Sequence, residues 1–142
     1  KINSTEYEKS PFLHPDGKTL FFSSTNFPAL GGFDIFYSRK DSLGFWGSPV
    51  NIGYPINTLA DEISLFVSTD GSRAYFSSNT LDGFGGWDIY SFALHEKAKP
   101  NRVLFIKGSI VSEYGQNIDG VDINVKNLNT KKVLYFHWIQ LE

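Results

Sequence analysis

The sequence predicts an all-β protein: two copies of one antiparallel sheet unit, then a further run of strands. Three observations carry that reading. Aromatic residues make up 16% of the chain and fall in short runs separated by Gly, Pro, Asn and Asp, the pattern of strands and tight turns. Residues 8–38 align without a gap onto residues 62–92. The one stretch of helix formers, residues 92–99, is short and runs into Pro100.

The aligned copies share Glu8/Glu62, Ser10/Ser64, Phe12/Phe66, Asp16/Asp70, Gly17/Gly71 and Phe22/Phe76. They also share Ser23/Ser77, Ser24/Ser78, Gly31/Gly85, Gly32/Gly86, Asp34/Asp88 and Ile35/Ile89. In the first copy the expected strands are residues 10–14, Thr19–Ser24, residues 33–39 and residues 48–52. In the second they are residues 64–68, Arg73–Ser78 and residues 87–92. His14-Pro15-Asp16-Gly17 reads as the turn between the first two strands, with Pro fixing φ and Gly17 supplying a positive φ; Asp70-Gly71 repeats it. Leu20-Phe21-Phe22, Ile35-Phe36-Tyr37 and Ala74-Tyr75-Phe76 are apolar at consecutive positions, which predicts sheets covered on both faces. Four-stranded units that cover one another at this period describe blades of a β-propeller.

The run Pro11-Phe12, Asp16-Gly17-Lys18, Leu20, Phe22-Ser23-Ser24, then Gly31-Gly32-Phe33-Asp34-Ile35-Phe36 resembles the WD40-like repeat of TolB-type propellers. Its continuation through Trp46-Gly47-Ser48-Pro49-Val50-Asn51-Ile52-Gly53 and Pro55-Ile56-Asn57-Thr58 resembles the version in OmpA-family cell-envelope proteins, some tied to type IX secretion. The resemblance implies that residues 1–96 are the C-terminal two blades of such a propeller, with repeats at about 7–53 and 61–94. The second blade has no counterpart of the 46–52 segment, so its outer strand is expected from sequence upstream of Lys1. Residues 97–102 read as a linker. From Val103 the alternation becomes clean, with Leu104, Ile106 and Ile110, then Val121, Ile123 and Val125, and turns at 113–115 and 119–120. Residues 103–142 resemble the opening of a carboxypeptidase-regulatory-like sandwich, with room for about three of the roughly seven strands such a fold uses. The end, after Val133, departs from that pattern.

Composition excludes several functions. Lys plus Arg number 13 against 15 Asp plus Glu, with no basic run, which argues against nucleic acid as a partner. The absence of Cys removes disulfides, thiolate catalysis and Cys-based zinc sites. No apolar stretch reaches the ~20 residues of a membrane helix. No catalytic, cofactor or metal residues are expected: a reaction centre needs each group once, whereas features copied in both units serve the unit. Asp16, Gly17, Asp70 and Gly71 are therefore read as turn residues. Gly31, Gly32, Gly85 and Gly86 belong to loops. Asp34 and Asp88 are expected to tie their strand to the Gly-rich loop or to the Ser-Ser end of the preceding strand. No Ser lies in a G-x-S-x-G context, and the Gly-Gly pairs precede strands rather than helices. His14, on a turn, is expected to be solvated.

The loops at 25–32, 53–61 and 79–86 are expected on one face, where Phe27, Tyr54, Asp61, Leu81 and Phe84 are candidates for protein or glycan contact; the alternative is that the rings pack between blades. The expected function is a non-enzymatic interaction scaffold. From the resemblance, it would sit in the periplasm at the outer membrane and contact envelope proteins and further blades of its parent. The alternatives are a propeller-based glycosidase or peptidase accessory domain, and a calcium-dependent glycan binder. Two blades cannot close a ring, so bare faces and strand edges are expected to make the chain self-associate.

Overall fold

The computed structural model describes residues 2–80, 83–105, 112–115, 120–128 and 130–138. These residues form β-sheets and no helix. The chain divides into two compact units, Lys1–Leu104 and Phe105–Glu142.

The first unit holds two separate sheets. Sheet one contains β1 (Glu8–Leu13), β2 (Thr19–Ser24), β3 (Asp34–Arg39) and β4 (Val50–Asn51), in that spatial order. Sheet two contains β5 (Glu62–Val67), β6 (Arg73–Ser78) and β7 (Asp88–Ala93). Every pairing is antiparallel, with β2 against β3 and β6 against β7 in equivalent register: Ser24 faces Asp34, and Ser78 faces Asp88. Both middle strands span the residues expected of them. The fourth strand is shorter than expected, two residues long, beside a single bridge between Lys40 and Trp46.

Each sheet opens with the same irregularity. The ladder shifts register between Lys9 and Phe12, and again between Ile63 and Phe66. Ser10 (φ 51°) and Ser64 (φ 58°) take the left-handed conformation in these bulges. Their hydroxyls meet at 3.3 Å, so the two bulges touch where the sheets pack. The following turns are as expected: Gly17 (φ 68°) and Gly71 (φ 72°) return the chain, with Gly17 N donating to His14 O and Gly71 N to Ser68 O.

The core lies between the sheets. Phe21, Ile35 and Tyr37 from sheet one meet Leu65, Val67, Ala74 and Phe76 from sheet two, with Ile52, Ile56, Leu94 and Ala98 closing the margins. β5 packs against β1, β2 and β3. Alternation explains the division of labour on β2: Phe21 points into this core, whereas Phe22 points to the other face and stacks on Phe36 at 6.1 Å.

Sheet one is covered by sheet two on one face and only in part on the other, where Phe27 lies over Phe22 and Phe36 while Leu13 stays 52% exposed; sheet two is covered on one face. Along β7 the residues alternate between half-buried and exposed, and Ile89 is 80% exposed although its counterpart Ile35 is 0% exposed. Within the first unit no further sheet lies against Phe66, Tyr75 and Ile89, so the two covered faces suggested by the apolar run are not found in the second copy, in keeping with the bare face expected of two units that cannot close a ring.

Residues 97–102, expected as a linker, run against the first unit. Ala98 is buried in its core, Lys99 O accepts from Arg39, Asn101 N donates to Asp16 Oδ2, and Val103 N donates to Thr69 O. In the second unit, β8 (Val121–Lys126) pairs with β9 (Val133–Trp138), and Val121, Ile123 and Val125 alternate with exposed neighbours. Chain after Val133 therefore continues as strand. Gly115 (φ 76°) closes the expected turn onto Ser112 O; Ile106, Ile110 and Asp119 lie outside the described residues.

Truncating a ring in the shared core should expose how much the first unit depends on it. Phe21→Ala is expected to lower stability by about 3–5 kcal/mol in urea titration. Tyr54→Ala, at a position 84% exposed, should change it by less than about 0.5 kcal/mol.

Candidate functional site

Buried polar side chains in the first unit are used to hold strands and loops. Glu62 is fully buried. Its carboxylate accepts Thr58 N at 2.8 Å, Thr58 Oγ1 at 2.6 Å and Ser78 Oγ at 3.1 Å. Glu8 does the same with Ser4 N at 3.2 Å, Ser4 Oγ at 2.5 Å and Ser24 Oγ at 3.0 Å. Burial pushes the Glu8 carboxyl up, but the donors from Ser4 and Ser24 outweigh it and hold the group below its ordinary value. The recurring serine at the end of the middle strand is thus a donor to a carboxylate.

Asp34 and Asp88 tie their strands to the Gly-rich loops. Asp34 Oδ2 accepts Leu30 N at 2.6 Å and Asn51 Nδ2 at 2.8 Å, and Asp88 Oδ2 accepts Phe84 N at 3.0 Å. The Ser-Ser ends are tied instead to Glu8 and Glu62. Asp34 Oδ1 and Ser23 Oγ are buried without a partner.

Asp16 and Asp70 order the turns at the opposite end. Asp16 accepts Lys18 N, Thr19 N, Thr19 Oγ1 and Asn101 N, all at 2.8–2.9 Å. Burial raises its carboxyl, and these four donors more than offset that, so it lies below the ordinary value. At Asp70 the hydroxyl of Ser68 and the amide and hydroxyl of Ser72 bring the carboxyl down to about 2. His14 corrects the expectation of a solvated turn residue: it is fully buried between the two turns. Its Nδ1 accepts Asp16 N at 3.1 Å, which leaves the proton on Nε2 to donate to Ser68 O at 3.2 Å.

The loop end of the first unit is a shared surface. Gly32 N donates to Ala60 O at 2.8 Å, Thr58 Oγ1 lies 3.4 Å from Thr80 Oγ1, and Asp61 N donates to Asn79 Oδ1. Loops 25–32 and 53–61 and the described part of 79–86 therefore meet there. Gly31 and Gly32 are required by this approach: a Cβ on Gly31 would stand 2.3 Å from Leu59 C, and one on Gly32 2.2 Å from Asp61 Oδ1. Gly85 and Gly86 have open space at the equivalent positions.

Of the residues expected to offer contacts, Tyr54 and Phe84 are exposed, joined by Leu59 and Leu30. Phe27 turns back instead, its ring 5.3 Å from Phe36 and 6.4 Å from Phe22; at φ 63° the backbone folds the loop over the outer face of sheet one. Asp61 is engaged, accepting Phe33 N at 2.9 Å and Asn79 Nδ2 at 3.1 Å. Leu81 lies outside the described residues. Among the described residues no three His, Asp or Glu side chains are grouped to hold a metal ion, and no helix is long and apolar enough to cross a membrane. An open cavity of about 530 Å³ lies away from the loop end, lined by Ile2, Asn3, Leu20, Phe45 and Trp46.

Sequence reasoning missed Asn57, which fastens one sheet unit to the next. Fully buried, its Oδ1 accepts Ile35 N and its Nδ2 donates to Ile35 O, both at 2.9 Å. The amide thus pairs with the backbone of β3 as a peptide group would. Nδ2 also donates to Asn51 Oδ1 at 2.7 Å. A signal was present: Ile2-Asn3-Ser4 and Ile56-Asn57-Thr58 continue the same gapless alignment.

Asn57→Leu should leave the buried Ile35 amide unpaired and cost about 1–3 kcal/mol in urea titration. Asn3→Leu, at its exposed counterpart, should cost less than about 0.5 kcal/mol in dilute solution. Because the folded carboxyls of Asp16 and Asp70 lie below their unfolded values, the stability they add is complete above the ordinary carboxylate range. It is lost as pH falls through the folded values, about 2 for Asp70. The double variant Asp16→Asn/Asp70→Asn should flatten the pH dependence of unfolding between about pH 4 and pH 2.

In comparisons with known proteins, the chain matches no family model, no curated protein and no solved structure.

Proposed function

We propose that the chain is a non-enzymatic interaction scaffold: two blades of a WD40-like, TolB-type β-propeller from an OmpA-family envelope protein, joined to the start of a carboxypeptidase-regulatory-like sandwich. Its partners are envelope proteins and further units of the same repeat, in the periplasm at the outer membrane. The observation that carries this reading is the use made of the polar groups. Glu8, Glu62, Asp16, Asp61, Asn57 and His14 are all bound to backbone or hydroxyl groups that fix loops and turns. What the loop end offers to a partner is instead apolar: Leu30, Tyr54, Leu59 and Phe84 on loops held by those bonds. Large exposed side chains on fixed loops suit contact with another protein. The repeat motifs supply the family and, through it, the compartment.

A photo-crosslinking amino acid at Tyr54 or Phe84 tests this in an envelope extract from a diderm bacterium. Discrete protein adducts are expected from these positions and not from Leu43, which is equally exposed but lies in the turn after β3. Absence of adducts, together with hydrolysis of a glycoside or peptide library that is lost in Asp61→Ala, would overturn the proposal in favour of an enzyme. A melting temperature raised by calcium would instead favour a calcium-dependent glycan binder.

A further inference from the structure

We propose that copies of this chain associate head to tail, the open face of sheet two in one copy receiving residues 2–8 and sheet one of the next. This junction would repeat the one that already joins the two sheets within the chain. It rests on the repeat and the sheet junction, not on the envelope assignment.

The internal junction has two halves. Sheet one contributes Phe12, Phe21 and Ile35, and the backbone from Gly32 to Ile35. The following unit contributes Asn57, Ala60 O, Glu62 N and the side chains of Leu65 and Val67. Between them, Asn57 spans the Ile35 N–H and C=O, Gly32 N donates to Ala60 O, and Glu62 N donates to Phe33 O at 2.6 Å.

Both halves recur elsewhere in the chain with no counterpart seated on them among the described residues. Sheet two carries the receiving half as Phe66, Tyr75, Ile89 and the backbone from Gly86 to Ile89. Phe66 is 49% exposed, and Ile89 stands on the open edge of β7. β6 and β7 pair in the same register as β2 and β3, so Ile89 N and O point off the edge as those of Ile35 do. Gly85-Gly86 repeats the glycine pair that the internal junction needs for close approach, yet here no described residue comes within 4 Å of where a Cβ would stand.

The inserting half recurs at the start of sheet one. Asn3 is exposed where Asn57 is buried, and Ser4 holds Glu8 as Thr58 holds Glu62. Leu13 is 52% exposed, although its counterpart Val67 is 3% exposed; Pro11 stands in the same relation to Leu65. The open cavity beside Ile2, Asn3 and Leu20 lies on this face.

A second copy is the occupant because this chain already displays the fit. An Asn at the inserting position, a glycine pair at the receiving one, and apolar side chains on both faces are retained at the same spacing. One bond does not carry over, since Tyr7 stands where Asp61 accepts Phe33 N. The two faces differ from each other, so the contact is heterologous, and one copy can bind a neighbour on each side.

Sedimentation velocity on the 142-residue chain across a concentration series tests the proposal. The average mass should rise with concentration and pass that of a dimer. Asn3→Leu, blocking the inserting half, and Ile89→Lys, blocking the receiving half, should each weaken association at least about tenfold, the loss of one to two hydrogen-bond equivalents. Each variant keeps one sound face. An equimolar mixture should therefore form a heterodimer and nothing larger. Both positions are exposed, and circular dichroism checks that the variants fold; Leu13→Lys is a second block of the inserting half. A chain monomeric throughout would overturn the proposal and leave these faces to a partner of different sequence. So would a dimer that does not grow, association indifferent to all three substitutions, or a mixture that stays monomeric.

Discussion

Two sheets that each leave one apolar face uncovered can be stable only if those faces meet, and this constraint organises the first unit. Phe21, Ile35 and Tyr37 on one side, and Leu65, Val67, Ala74 and Phe76 on the other, form a single core. Burial of this kind has no direction, so it does not by itself fix how one sheet sits on the other. That is set at the margins by directional groups. The Ser10 and Ser64 bulges touch at one margin, His14 spans the two Asp-Gly turns, and Asn57 grips both polar groups of Ile35. Most of these contacts join residues at or near equivalent positions of the two copies, as repetition of one unit requires.

The polar chemistry follows from the same constraint. A strand that enters a core from a loop brings backbone amides that water can no longer reach, and each needs an acceptor. Carboxylates at fixed offsets supply one for part-buried amides, Glu8 and Glu62 for the residue four positions earlier, Asp34 for the loop amide four earlier and Asp16 for Thr19 N after the turn, while Asp88 and Asp70 make the same bonds to exposed amides. Glu8, Glu62, Asp34 and Asp16 also bond side chains on neighbouring strands, Ser24, Ser78, Asn51 and Thr19, which joins the loops to the sheets. Acidic residues in this chain are thus part of its frame.

Much of this was legible in the residues. The middle strands could be read to the residue because each is an apolar run bounded by Asp-Gly on one side and Ser-Ser on the other. The turns followed from Pro15, Gly17 and Gly71. What was not legible depended on partners distant in sequence. Nothing in Ser10 or Ser64 marks a bulge, since each is shaped by the serine it meets across the interface. Asn57 looks like any loop asparagine until β3 is beside it. Phe27 is an aromatic residue in a loop, and only the position of Phe22 and Phe36 decides that it folds inward. His14 was misjudged for the same reason: its surroundings come from the second copy, which a reading of its own turn does not include. That some face would be bare followed from two units being too few to close a ring, but the strand pattern did not mark which one, because Ala74-Tyr75-Phe76 is as apolar as its covered counterpart, and pattern records what a strand can bury rather than what lies against it.

The bond from Thr58 to Glu62, continued by Ser78, has a bearing on recognition. Through it the segment before β5 is locked to the middle strand of the same sheet, and through Asp61 and Asn79 so is the next loop. For the interaction proposed above, part of the entropy of ordering these segments would be spent in folding rather than at binding, which lets a few apolar side chains carry more of the affinity than they would on a floppy rim of the same composition.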